Sequence, residues 1–310
     1  MERDPSGQLA WLAAELEAAE AAGERVWLIG HMPLGTSDSF HDQSEYFDQI
    51  VQRFDATISA LFFGHTHQDE FQISYSTPAS PSADTAVMVS YIAPALTPTS
   101  GNPTFRVYSV DPVTFGILDY TVYYANISSQ SYQSGPTWEV LYSVKEAYGS
   151  LVNPPVTDAS AELTPAFWHD LTVLFEENDD VYQTWYARRG RDYSEATCTG
   201  TCKTTSICQL RAAQSQYNWY VSATCRPPLL PQAQIVDMYS FSATISPGIN
   251  FKRDTSNTTA IPQGDCEGSV AIPIFSSSTF QSALVATMEE SFLNTQIPDN
   301  YTVPGWNSTG

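Results

Sequence analysis

Three of the five histidines stand where an apolar run gives way to a turn. Val26-Trp27-Leu28-Ile29 leads into Gly30-His31, and Leu61-Phe62-Phe63 leads into Gly64-His65-Thr66-His67. Imidazole is a ligand for zinc, iron, manganese or copper. Ligands of α/β sheets gather beyond the carboxyl ends of the strands. A glycine before each histidine permits a sharp exit from the strand. His65 and His67 are two apart, so on an extended segment their rings share one side. His31, His65 and His67 are therefore the candidate metal ligands. A single Gly-His after a strand is more often a packed or capping histidine, but two rings at one strand end are hard to explain by packing. Asp69 and Glu70 follow at once; they either orient the rings by hydrogen bonding or begin a solvated strand. His41, in a polar loop with Ser37, Asp38, Ser39, Asp42 and Gln43, reads as solvated. His169, in Phe167-Trp168-His169-Asp170, reads as a structural residue on a helix.

The elements that must carry these residues alternate over 1–125. Leu9, Leu12 and Leu16 recur at helical spacing and predict a helix over 5–22. Tyr46, Phe47, Ile50, Val51 and Phe54 predict a second over 43–57. Between and after them come two continuous apolar strands, 26–29 and 58–63. Such strands alternating with helices imply a sheet covered on both faces. Further strands are expected near 70–75, 86–92, 105–110 and 117–124. No helices separate them, so that part of the sheet is antiparallel or mixed. Helices are expected over 138–148, 165–177, 179–188 and 204–213, with Gly149 and Pro154-Pro155 breaking the chain after the first. Residues 230–310, rich in Ser, Thr, Pro and Asn, read as an irregular tail.

The chain has 310 residues, room for two domains. It carries 13 Lys and Arg against 34 Asp and Glu, a net charge of −21. That balance gives no footprint for a nucleic-acid backbone and repels anionic membranes. No run of apolar residues is long enough to span a bilayer. Asp4, Glu15, Glu17 and Glu20 interrupt what a secretory signal would keep apolar, so no signal peptide is read in the first 25 residues. Four of the five cysteines, Cys198, Cys202, Cys208 and Cys225, fall within 28 residues; the fifth is Cys266. The first spacing is C-x₃-C and no histidine lies among them, which favours a disulfide framework over a zinc site. Sequons at Asn126, Asn257, Asn300 and Asn307 point the same way, toward secretion. With no signal peptide, this leads to the expectation of a start lying upstream.

Gly30-His31-Met32-Pro33 and Gly64-His65-Thr66-His67, with His31 and His65 34 positions apart, resemble the last two motifs of the calcineurin-like metallophosphoesterases. The longer run Phe62-Phe63-Gly64-His65-Thr66-His67-Gln68-Asp69-Glu70-Phe71 resembles the acid sphingomyelinase branch of that family. So do Asp4-Pro5-Ser6-Gly7-Gln8-Leu9-Ala10-Trp11-Leu12, Asn102-Pro103 with Phe105-Arg106-Val107-Tyr108, Trp168-His169-Asp170-Leu171, and the cysteine cluster. The resemblance covers residues 4–225. It implies an α/β fold: the C-terminal half of a four-layer metallophosphoesterase sandwich with a mixed sheet (1–125), then a small helical disulfide-bonded domain (126–229), with the tail (230–310) beyond. It implies bridges Cys198–Cys202 and Cys208–Cys225. It implies a hydrolase that cleaves sphingomyelin or another choline phosphodiester, giving ceramide and phosphocholine from the former by metal-activated water. Two ions, usually zinc in this branch, sit about 3.5–4 Å apart in such sites. Carried over, His31 and His65 would bind one ion and His67 the other. A protein of this branch would be a monomer, secreted or in a lysosome- or vacuole-like compartment, meeting lipid through a region N-terminal to the catalytic domain.

The family pattern also has an Asp-x-His, a Gly-Asp and a Gly-Asn-His. These 310 residues contain no Asp-x-His and no Gly-Asn-His, and their one Gly-Asp, Gly264-Asp265, lies in the tail. No catalytic acid histidine is therefore assigned. The expectation is the C-terminal part of a phosphodiesterase that holds one zinc or none by itself and turns over no substrate. The alternatives are a non-catalytic binding or regulatory fragment and a single-zinc hydrolase using the three histidines.

Overall fold

Apolar spacing decides which faces the first helices bury. Leu12, Leu16 and Ala19, at i, i+4 and i+7, are buried along helix α1 (Gln8–Ala22). The Asp4 carboxylate accepts the backbone N–H groups of Leu9 (3.2 Å) and Ala10 (2.9 Å), which would otherwise lack partners at the helix start. Helix α2 (His41–Arg53) buries Phe47 and Val51, with Asp42 in its first turn and Arg53 in its last, as the helix dipole favours. His41 thus opens a helix rather than sitting in a loop, and its side chain is exposed as expected. This is a computed structural model, and it describes residues 4, 6–99, 101–193, 197–218 and 274–275.

The strands β1 (Val26–Ile29), β2 (Ile58–Phe63), β3 (Glu70–Tyr75) and β4 (Ala86–Ile92) lie in the order β3-β4-β2-β1. The pairs β1–β2 and β2–β4 are parallel, and β3–β4 is antiparallel, so the sheet is mixed. The two-residue strand β8 (Ile274–Phe275) pairs antiparallel with β1; the rest of 230–310 lies outside the described residues. Side chains alternate across the sheet. Val26, Leu28, Leu61 and Phe63 meet Leu12, Leu16, Phe47 and Val51 of α1 and α2. Ala60, Phe71, Ile73 and Tyr91 face the opposite core.

That opposite core contains the one departure in strand grouping. The two last segments expected to extend the first sheet, β5 (Thr104–Val110) and β6 (Ile117–Tyr124), instead form a second, antiparallel sheet with β7 (Glu139–Ser143). Its Tyr120 and Val122 join Ala60, Phe71 and Tyr91 in one cluster. The helix expected over 138–148 is instead β7 followed by a short π-helix, Lys145–Gly149. Pairing with β6 (Val122 opposite Tyr142) buries Tyr142, and tertiary pairing here outweighs the local helical pattern.

Helix α3 (Pro165–Glu177) begins as its sequence dictates: Thr164 accepts the Phe167 N–H and Pro165 takes the first turn. Its Phe167, Trp168, Leu171 and Phe175 are buried, with Trp168 stacked on Tyr120 at 6.0 Å between ring centroids. Helices α4 (Asp179–Arg189), capped by Asn178, and α5 (Thr201–Leu210) follow. Cys198 and Cys202 are disulfide-bonded, as is Cys208; Cys225 and Cys266 lie outside the described residues. Among the described residues no helix is long and apolar enough to cross a membrane.

Candidate metal centre

The parallel ladder continues past the ends of β1 and β2. Gly30 N donates to Phe62 O and Gly64 N donates to His31 O, both at 2.9 Å. His31 and His65 therefore emerge side by side at the carboxyl ends of neighbouring parallel strands. The turn is not made where the sequence pattern placed it. Neither Gly30 nor Gly64 has a positive φ; His65 (70°) and His67 (61°) do. Thr66 N donates to Gly64 O at 2.8 Å, closing a γ-turn centred on His65. Left-handed backbone costs a non-glycine residue about 1–2 kcal/mol, and such conformations concentrate at functional sites. The expectation that His65 and His67 share one side of an extended segment is thus corrected, because the segment is a turn.

The turn brings His65 Nδ1 to 3.3 Å from His31 Nε2, with the rings at 79°. The other ring nitrogen, His65 Nε2, lies 2.8 Å from Asp38 Oδ2. Burial lowers the His31 pKa, and the neighbouring His65 and His67 lower it further, favouring the neutral ring that ligates metals. His67 itself is exposed. Among the described residues no three His, Cys, Asp or Glu side chains are grouped to hold an ion. The structure therefore brings together His31 and His65 and adds Asp38, a residue that carried no motif.

Asp69 and Glu70 do not reach the histidines. Asp69 is buried, paired with Arg106 and hydrogen-bonded by the Tyr142 hydroxyl at 3.1 Å. Arg106 also donates to Glu70 O at 3.0 Å and lies over the Tyr120 ring. Burial raises the Asp69 pKa and Arg106 opposes that shift. Glu70 pairs with Arg189 at 2.6 Å, and Asp69 N donates to Arg189 O at 3.1 Å. Together these bonds anchor the far side of the histidine turn to β5, β7 and α4. Nor is Asp69 or Glu70 a solvated strand start. His169 is buried, with Nδ1 3.0 Å from the Tyr75 hydroxyl, and is structural.

Sequence comparison decides what this arrangement belongs to. Residues 81–223 match the family model of the acid sphingomyelin phosphodiesterase C-terminal region. The chain is 34% identical over 245 residues to the sphingomyelin phosphodiesterase of Bos taurus, covering 76% of this chain and 36% of that protein. It is 30% identical over 219 residues to sphingomyelin phosphodiesterase 1 of Caenorhabditis elegans, covering 70% and 37%. The human sphingomyelin phosphodiesterase is 34% identical, with 74% and 35% covered. The chain belongs to the acid sphingomyelinase-like family. It spans about a third of the length of these curated relatives.

The histidine pair of this sphingomyelinase-like chain fits two corners of a zinc site. Ligand nitrogens about 2.0–2.1 Å from a tetrahedral ion stand about 3.3 Å apart, which is the His31–His65 separation. Beside the pair lies a cleft of about 370 Å³, walled by Thr36, Asp38, His65, Gln68, Glu70 and Arg189 among others. Gln68 Oε1 is buried there without a hydrogen-bond partner among the described residues.

Proposed function

We propose that this chain serves metal-dependent phosphodiester hydrolysis of the sphingomyelinase type. On this reading His31 and His65 are ligands of one zinc ion and His67 of a second, and sphingomyelin or another choline phosphodiester is the substrate. The observation that carries the proposal is the 3.3 Å approach of His31 Nε2 and His65 Nδ1 at adjacent strand ends. The names of the three relatives described above, each a sphingomyelin phosphodiesterase, support the substrate class. Zinc bound there supplies Lewis acidity and a nucleophile drawn from water at neutral pH. The chain's own residues do the rest. His31 and His65 hold a fixed geometry, the Asp69–Arg106 pair fixes the turn, and the polar cleft receives the headgroup. The accompanying fold reading is the C-terminal half of a four-layer sandwich over 1–125, then the disulfide-bonded helical region. The Cys198–Cys202 bridge supports an oxidising compartment, secreted or lysosome-like.

These 310 residues hold neither an Asp-x-His nor a Gly-Asn-His, and no three-ligand group occurs among the described residues. Of the one zinc or none expected for these residues taken alone, the His31–His65 approach favours one, weakly held, and no substrate is expected to turn over. Isothermal titration of the purified chain with zinc tests this. One site, lost in His31→Ala and in His65→Ala, supports the proposal, and a chain that binds no zinc contradicts it. Zinc-dependent release of phosphocholine by this chain, abolished in His65→Ala, would overturn the expectation of no turnover.

A further inference from the structure

We infer that Asp38 is a positioning residue for the metal centre: its carboxylate takes the Nε2 proton of His65 in a hydrogen bond and so leaves the Nδ1 lone pair turned toward His31. The inference rests on the metal reading proposed above and adds to it a residue that no motif marks. His65 has two ring nitrogens, and both are accounted for. Nε2 lies 2.8 Å from Asp38 Oδ2, and Nδ1 lies 3.3 Å from His31 Nε2. A neutral imidazole carries one proton, and the nitrogen that donates it leaves the other free to ligate. Carboxylates hold metal-ligating histidines in this way, fixing tautomer and ring orientation.

The bond to His65 is the one hydrogen bond that the Asp38 side chain makes among the described residues. The loop that carries it is built rather than loose. Thr36 folds back on Pro33 O through its hydroxyl (2.9 Å) and its backbone N–H (3.3 Å), and Ser39 N donates to Thr36 O at 3.2 Å. Asn218 donates to Gly35 O. A Cβ at Gly35 would collide with Ala212 O and the Gln72 side chain, so the loop lies directly against that neighbouring segment. Asp38 is 63% exposed, so its bond to His65 adds little stability. Its effect is on the ring, and a substitution there should leave folding untouched.

The test uses the full 310-residue chain labelled with ¹⁵N-histidine, without metal and at pH 8, followed by titration with zinc alone. Long-range ¹H–¹⁵N spectra are expected to show His65 in the Nε2–H tautomer in the wild type and in Asp38→Asn, whose amide oxygen still accepts. Asp38→Ala should give a mixture of tautomers, an unchanged melting temperature, and zinc affinity weaker by about 10–100-fold. An Asp38→Ala chain with the wild-type tautomer and zinc affinity overturns the inference while leaving the metal reading intact. A wild-type chain that takes up no zinc overturns the metal reading and the role of Asp38 with it.

Discussion

His169 sits buried on α3 with Nδ1 3.0 Å from the Tyr75 hydroxyl. Burial, and then the positive charge of Arg211, pull its pKa from 6.5 down to about 4, against a smaller opposing pull from Glu176. Arg211 is itself held by Glu176 (2.7 and 3.0 Å) and by Thr172. A histidine whose pKa is lowered by folding takes up its proton in the unfolded chain first. Between pH 6.5 and about 4 the unfolded state therefore binds more protons, and stability falls as the pH falls. At about 1.4 kcal/mol per pH unit, the loss attributable to His169 between pH 7 and 4 is about 3 kcal/mol. Burial raises the pKa values of Asp48 and Asp69, which acts with the opposite sign, so the wild-type curve alone does not isolate the effect. His169→Gln does: it keeps a polar partner for Tyr75 and does not titrate. Urea unfolding of both proteins, metal-free and with disulfides intact, at pH 7, 6, 5 and 4 gives the difference directly. The wild type should lose about 3 kcal/mol relative to His169→Gln across that range. A difference that stays flat would refute the reasoning, because it would mean that His169 carries its proton as readily when folded as when unfolded.

Arg106→Ala leaves the Asp69 carboxylate buried and unpaired, and should cost about 3–5 kcal/mol in denaturant unfolding; a loss below 1 kcal/mol would show that water reaches the pair. Replacing Cys198 and Cys202 by serine opens a short loop and should lower stability by about 2 kcal/mol, read as a shift in the urea midpoint. Gly35→Ala places a methyl group against Ala212 O and Gln72 and should cost about 1–3 kcal/mol, measured by thermal unfolding. In that variant the Asp38 loop should also be displaced, seen as a changed His65 ring-nitrogen shift.

Strands β1 and β2 were legible because they are short apolar runs followed by glycine. Val26–Ile29 and Ile58–Phe63 fall where the pattern puts them, and α3 starts and stops as Thr164, Pro165 and its apolar spacing require. The segment 138–148 was misread because Glu139–Ser143 satisfies a helical spacing locally, and only the unpaired edge of β6 makes it a strand. Separation of β5–β7 into their own sheet was equally invisible, being a property of which faces meet. At the site, the residue types and strand-end placement of His31 and His65 could be read. The left-handed backbone at His65 and His67 could not, since glycine was the residue expected to bear it. Asp38 lies 27 positions from His65 in a polar loop, and no periodicity points from one to the other. Asp69 lies two positions from His67 in sequence, yet its partner Arg106 is 37 positions away on another sheet.

The most direct test of the central claim is elemental analysis of the 310-residue protein after dialysis against trace zinc and gel filtration, with His65→Ala treated in parallel. The account predicts one zinc ion per folded wild-type chain and none in the variant. A wild-type chain free of zinc, or a variant that retains as much as the wild type, would contradict it.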